Sequence, residues 1–309
     1  MVILLSKLVK KLIETIPSPD LNLKKNYKLA RKVVDLVHTP FLKPENRIWD
    51  YEIDGIPVRL FLPKKDGIHP LIIYIHGGGW TTGNVDSYTK VCTHLAGFTN
   101  HIVLSINYRL APEYPFPTGL MDCYQVVQTI LNHPETFQIT KEQIALMGDS
   151  AGGNLVAAIS LMSRDRKAII PTKQVLIYPV TYPYHNELSP FPSVIEQKDN
   201  ITLSAAQVND YIELYQGKKT DRSNPYFAPL LAKNFKNQPR TLILTGELDI
   251  LRDEGEYYGM MLKKGKNKVE IIRIPEVGHG FINYSPKLPT IKKVYQTIDR
   301  FLKEAENDK

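Results

Sequence analysis

The strongest chemical signal in the chain is the run Gly148-Asp149-Ser150-Ala151-Gly152. A serine with glycine two positions away on each side is the pattern of a nucleophile elbow, a sharp strand-to-helix turn that exposes the hydroxyl. The glycines let neighbouring backbone come close. The strained turn sets Oγ at a helix N-terminus, where the peptide dipoles favour developing negative charge. A second signal is His76-Gly77-Gly78-Gly79-Trp80. Three successive glycines strip the side chains from a loop, so its N–H groups can converge on the oxyanion of a tetrahedral intermediate. Such a loop is a known companion of the elbow. It lacks Gly-Lys-Ser/Thr, so a P-loop is not indicated.

Acyl transfer through a serine needs a base and an acid that orients it, and after an elbow these follow in the order Ser, Asp, His. Of eight histidines, only His185 and His279 lie C-terminal to Ser150. His279 sits between Gly278 and Gly280, just past a predicted strand, as suits a loop tip reaching into a site. His185 falls in an insertion. Glu247, Asp249 and Asp253 are all available as the acid. Asp249 is chosen because the strand-to-helix loop would place it against the imidazole, fixing the tautomer and steadying the imidazolium. Ser150, Asp249 and His279 are therefore the predicted catalytic residues.

These residues need a scaffold that brings strand ends together. Ile48–Ile53 and Val58–Leu62 flank the turn dipeptide Asp54-Gly55, which predicts an antiparallel hairpin. Leu71–Ile75, Ile102–Ile106, Ile144–Met147, Val175–Tyr178, Thr241–Thr245 and Val269–Ile274 read as buried strands. Helical periodicity fills most of the intervals, as in Thr118–Leu131 and Asn154–Met162. Strands alternating with helices imply an α/β fold with a mostly parallel sheet, whose ligand site lies beyond the strands' carboxyl ends. Residues 1–46 precede the first strand and read as helical. Residues 183–223 form a long Pro- and Tyr-rich insertion with one helix-like piece, Ala205–Tyr215.

Bulk properties narrow the function. The 309 residues carry a net charge of +7, but the lysines are dispersed and form no basic stripe with interleaved aromatics, so nucleic-acid binding is not expected. Cys92 and Cys123 lack metal-ligand spacing and read as buried free thiols. The opening Met1–Glu14 has apolar residues at helical spacing, but its longest apolar run is four residues, against the ~20 that span a bilayer. It reads as a packed helix, with interfacial docking as the alternative. A cytoplasmic location is expected, without membrane contact. A homodimer is left open.

Further motifs carry a family resemblance. His76–Trp80, Tyr108-Arg109-Leu110-Ala111-Pro112-Glu113, Gly148–Asn154, Asp249 with Leu251-Arg252-Asp253-Glu254-Gly255, and Gly278-His279 run in the order found in the hormone-sensitive-lipase family of α/β-hydrolases. The chain resembles that family over roughly residues 50–305. The resemblance implies an eight-stranded α/β-hydrolase fold flanked by helices. Residues 47–182 and 224–309 would form the catalytic domain, and residues 1–46 and 183–223 the helical cap. It implies Ser150 as nucleophile, Asp249 as acid and His279 as base. The N–H groups of Gly78, Gly79 and Ala151 would form the oxyanion hole, with Gly77 shaping the loop. Arg109 and Glu113 would form a structural ion pair. Asn107 and Ile250 depart from the family's usual Asp and Pro, at positions that do not meet the reacting atoms in the family pattern.

The implied activity is carboxylesterase action on a small ester substrate with acyl chains from acetyl to butyryl, without cofactor or metal. Lipase or amide hydrolysis on the same fold is the alternative. A ligand receptor of the plant gibberellin type is disfavoured, because such receptors lack the triad histidine that this chain keeps at His279.

Overall fold

The computed structural model describes residues 23–38, 47–218 and 220–304. Met1–Glu14 lies outside the described residues. Among the described residues eight strands, β1 (Ile48–Ile53), β2 (Ile56–Phe61), β3 (Leu71–Ile75), β4 (Ile102–Ile106), β5 (Ile144–Asp149), β6 (Lys173–Ile177), β7 (Arg240–Leu248) and β8 (Val269–Gly278), form one sheet in the order β1-β2-β4-β3-β5-β6-β7-β8. The hairpin of β1 and β2 is antiparallel. Asp54 and Gly55 turn it with φ of +53° and +75°, the left-handed pair that a two-residue hairpin turn needs. β2 pairs antiparallel with β4. All later pairings are parallel, through β3, β5, β6, β7 and β8.

β3 shows why these strands read as continuous apolar runs. Leu71, Ile73 and Ile75 face one core, and Ile72 and Tyr74 face the other. A parallel strand covered on both faces has no polar side to alternate with. On the first face lie α3 (Thr118–Asn132), α4 (Ala151–Asp165) and α7 (Arg252–Lys264). On the second lie α2 (Thr89–Thr99) and α8 (Pro289–Lys303). The stripe Ile291, Val294, Tyr295, Ile298, Phe301 and Leu302 turns α8 inward at helical spacing. Cys92 and Cys123 are buried free thiols.

Above the sheet's carboxyl edge sit three further helices. These are α1 (Leu23–His38), α5 (Pro192–Glu196) and α6 (Ala205–Gln216). α6 starts on a capping box in which the Ser204 hydroxyl accepts from the Gln207 N–H. α1 reaches α6 through Lys24–Glu213 at 2.7 Å and through the Leu23 N–H, which Asp210 accepts at 3.2 Å. Arg31 fastens α1 to the body, donating to the carbonyls of Thr81 at 2.6 Å and Ala111 at 2.8 Å.

The expected Arg109–Glu113 ion pair does not form. Arg109 grips Asp122 at 2.6 Å and 2.9 Å, while Glu113 pairs with Arg31 at 2.7 Å. That partner holds the Glu113 carboxyl below its ordinary range. Side chains four apart meet on a helix, but residues 107–117 run through turns and prolines.

Candidate active site

The elbow is built from backbone. β5 ends at Asp149, α4 begins at Ala151, and Ser150 between them has φ +53° and ψ −120°. This positive-φ conformation is costly for a non-glycine residue and persists only where its surroundings enforce it. The Ser150 N–H donates to the Ile177 carbonyl at 2.8 Å, and its own carbonyl accepts from Asn154 N–H at 3.0 Å. Both flanking glycines are needed for space. A Cβ at Gly148 would lie 2.5 Å from Gly152 backbone, and one at Gly152 only 2.0 Å from the Ile75 carbonyl oxygen. The elbow thus packs directly on the end of β3.

His279 follows β8, and the structure brings it to the elbow. Its Nε2 lies 2.9 Å from Ser150 Oγ, and its Nδ1 lies 2.9 Å from Asp249 Oδ2. In the tautomer that satisfies both contacts, the serine hydroxyl donates to Nε2 and Nδ1–H donates to the carboxylate. Asp249 is fully buried, and its other oxygen accepts from Leu251 N–H at 2.9 Å. The two rival carboxylates are engaged elsewhere. Glu247 accepts from the Glu276 N–H, and Asp253 is held by Arg252 and the Ser193 N–H. His185 is buried against Glu254 at 2.5 Å, apart from the Ser150 line.

The glycine loop is tethered peptide by peptide. The first peptide has its His76 carbonyl on Tyr108 OH at 2.9 Å and its Gly77 N–H on Asp149 Oδ1 at 2.9 Å. Burial pushes the His76 imidazole down to about 4, so the ring is neutral near pH 7 and Nδ1–H donates to the Gly77 carbonyl at 2.8 Å. The Gly78 carbonyl accepts from Thr81 and Thr82 N–H at 3.1 Å and 2.8 Å. In a planar trans peptide N–H points opposite to C=O, so the Gly78 and Gly79 N–H groups face away from these tethers. Their φ values of +107° and +58° suit glycine. Ala151 N–H, at the first turn of α4, has no carbonyl of its own helix to bond.

Ser150, His279, Gly78 and Gly79 line a cavity of about 200 Å³, together with Val34 of α1 and with Leu203, Val208 and Tyr211 of the insertion. Three contributors carry no sequence signal of their role. Thr202 Oγ1 accepts from His279 N–H at 3.1 Å and so fixes the histidine loop. Tyr178 lies against the His279 ring, with centroids 4.6 Å apart. Arg31 braces the loop from above at Thr81.

Known proteins share this architecture. A family profile described as the alpha/beta hydrolase fold matches residues 72–283. An arylesterase of Saccharolobus solfataricus is 34% identical over 84% of this chain and 81% of its own length. An ethyl acetate hydrolase of Pseudomonas putida is 32% identical over 74% of this chain and 71% of its own. Among solved structures, a hyperthermophilic esterase from the archaeon Pyrobaculum calidifontis superposes with a TM-score of 0.82 at 30% identity, covering 96% of this chain and 97% of that one. The chain belongs to the α/β-hydrolase-fold family, in its hormone-sensitive-lipase-like branch of carboxylic-ester hydrolases.

Proposed function

We propose that the protein is a serine carboxylesterase for short acyl chains, acetyl to butyryl, working through an acyl-enzyme. The observation that carries this is the continuous hydrogen-bonded line from Ser150 through His279 to buried Asp249. Ser150 Oγ attacks the ester carbonyl carbon as His279 Nε2 takes its proton. The Gly78, Gly79 and Ala151 N–H groups hold the oxyanion, with Gly77 shaping their loop. Collapse of the intermediate expels the alcohol, which receives the proton from His279. A water molecule then gives its proton to His279 and attacks the acyl carbon, and the acid leaves. Asp249 keeps the imidazole in register and balances its charge. No step calls for a cofactor.

Residues 47–182 and 224–309 act as the catalytic body, with α1 and the 183–223 insertion as its cap. The short-chain preference rests on cavity size. A volume of about 200 Å³ is below the roughly 300–1,000 Å³ that holds drug-sized ligands. Of Tyr182 and the insertion's aromatics Tyr184, Phe191, Tyr211 and Tyr215, only Tyr211 lines the cavity. It presses so closely on the oxyanion loop that a Cβ at Gly79 would lie 2.3 Å from its ring. Each acyl methylene that fits gains about 0.8 kcal/mol, whereas overfilling costs about 1–3 kcal/mol. On p-nitrophenyl esters from acetate to palmitate, kcat/KM should therefore peak between acetate and butyrate. Tyr211→Ala should shift the peak toward hexanoate and longer. A wild-type maximum at decanoate or beyond, or a rate jump at a lipid interface, would make the protein a lipase instead.

A further inference from the structure

Asp149 is the one polar residue of the elbow that the acyl-transfer cycle leaves without a task, yet it is buried at the end of β5. Four donors surround its carboxyl group. Oδ1 accepts from Tyr74 OH at 2.8 Å and Gly77 N–H at 2.9 Å; Oδ2 accepts from Tyr88 OH at 2.9 Å and Tyr178 OH at 3.4 Å. No lysine or arginine among the described residues pairs with it. Burial lifts its carboxyl group above the ordinary range, with the Tyr74, Tyr88 and Gly77 donors pulling the other way. A buried carboxyl group is expensive, and an apolar residue would serve packing alone at less cost. What the carboxyl group does and an apolar side chain cannot is accept from the Gly77 N–H. Gly77 is shaped for that contact, since a Cβ there would meet Asp149 Oδ2 at 2.6 Å and its carbonyl oxygen at 2.8 Å.

We propose that Asp149 is the positioning residue of the oxyanion loop, its carboxyl group clamping the Gly77 N–H and so fixing where the Gly78 and Gly79 N–H groups point. This rests on the reading of that loop as the oxyanion hole. Glycine peptides rotate easily unless tethered. The Gly77 N–H is held by Asp149 Oδ1 at 2.9 Å and by Tyr88 OH at 3.1 Å, a hydroxyl that Asp149 itself orients by accepting its proton. With Tyr108 OH on the His76 carbonyl, these contacts set the first peptide from which the other two continue. The clamp acts on the oxyanion and not on substrate binding, so it should alter the transition state and leave the ground state alone.

The test compares an alkyl trifluoromethyl ketone with the matching methyl ketone on the purified full chain. Ser150 Oγ adds to the fluorinated carbonyl, its proton passes to His279, and the new oxyanion occupies the loop. The methyl ketone reports ground-state binding. In Asp149→Ala, kcat and trifluoromethyl ketone affinity should fall together by on the order of 10²-fold, the scale of one lost oxyanion donor. KM and methyl ketone affinity should stay within about threefold. Asp149→Asn keeps an acceptor for Gly77 and should stay within about tenfold of wild type in both readouts. Unchanged fluoroketone affinity in Asp149→Ala, or Asn as damaging as Ala, overturns the proposal. If the alanine variant does not fold, Asp149→Ser, whose shorter side chain loses the reach to Gly77, takes its place in the same comparison. Wild-type protein binding both ketones equally would instead defeat the oxyanion reading itself, a separately visible outcome.

Discussion

Ser150→Ala should lower kcat toward p-nitrophenyl butyrate by at least ~10⁴-fold while the protein stays folded. The hydroxyl is the atom that bonds to the acyl carbon, so its loss leaves only binding and the oxyanion donors. The fold has little reason to object. Alanine meets the same φ of +53° that serine already tolerates, and the turn is held by backbone bonds to Ile177 and Asn154. Circular dichroism and urea unfolding should therefore match wild type within about 1 kcal/mol, the net worth of one lost hydrogen bond. Near wild-type turnover from a clean preparation would remove Ser150 from the mechanism.

Asp249→Asn should cost on the order of 10⁴-fold in kcat. The amide keeps the shape of the carboxylate, but its NH₂ can face Nδ1 only if that nitrogen gives up its proton. The proton then sits on Nε2, which can no longer accept from Ser150. The Leu251 N–H, which donates to the other Asp249 oxygen at 2.9 Å, claims the amide oxygen and leaves the NH₂ facing His279, so the bound amide selects this tautomer. Asp253→Asn is the matched control. It should reduce stability through weaker contacts with Arg252 and the Ser193 N–H, yet leave kcat within about tenfold, because Asp253 does not touch the imidazole. If Asp253→Asn proved the more damaging to kcat, the assignment of the acid would be wrong.

Much of this arrangement was legible in the chain because it depends on local chemistry. β1, β3 and β4 match their sequence limits residue for residue, since β3 and β4 are short apolar runs rich in isoleucine and β1 is stopped by the Asp54-Gly55 turn. The elbow and the glycine loop were legible because their backbone geometry excludes other residue types. Strands β7 and β8 run three and four residues past their expected ends, to Leu248 and Gly278, with an irregular register between Gly246 and Leu248. Hydrophobicity fades in those extensions, which carry exposed Glu247, Leu248 and Glu276, so periodicity could not find them.

What sequence could not supply were contacts between distant segments. Thr202 on the histidine loop, Tyr178 on the imidazole and Arg31 on Thr81 join positions far apart in the chain, and no period or motif marks them. The misassigned Arg109–Glu113 pair failed for the same reason. The resemblance implied a contact within the motif, but each side chain has its partner on another element, Asp122 for one and Arg31 for the other.

The most direct test of Ser150 as the nucleophile is covalent capture. Diethyl p-nitrophenyl phosphate presents an electrophilic phosphorus; attack by Ser150 Oγ expels p-nitrophenolate and leaves a stable diethylphosphoryl ester. Incubation should release one p-nitrophenolate per active chain, abolish esterase activity in proportion, and place the phosphoryl group on Ser150 in peptide mass spectra. Ser150→Ala should remain unlabelled. A fully active protein that takes up no label, or one whose inactivating label maps to another residue and persists in Ser150→Ala, would contradict the account.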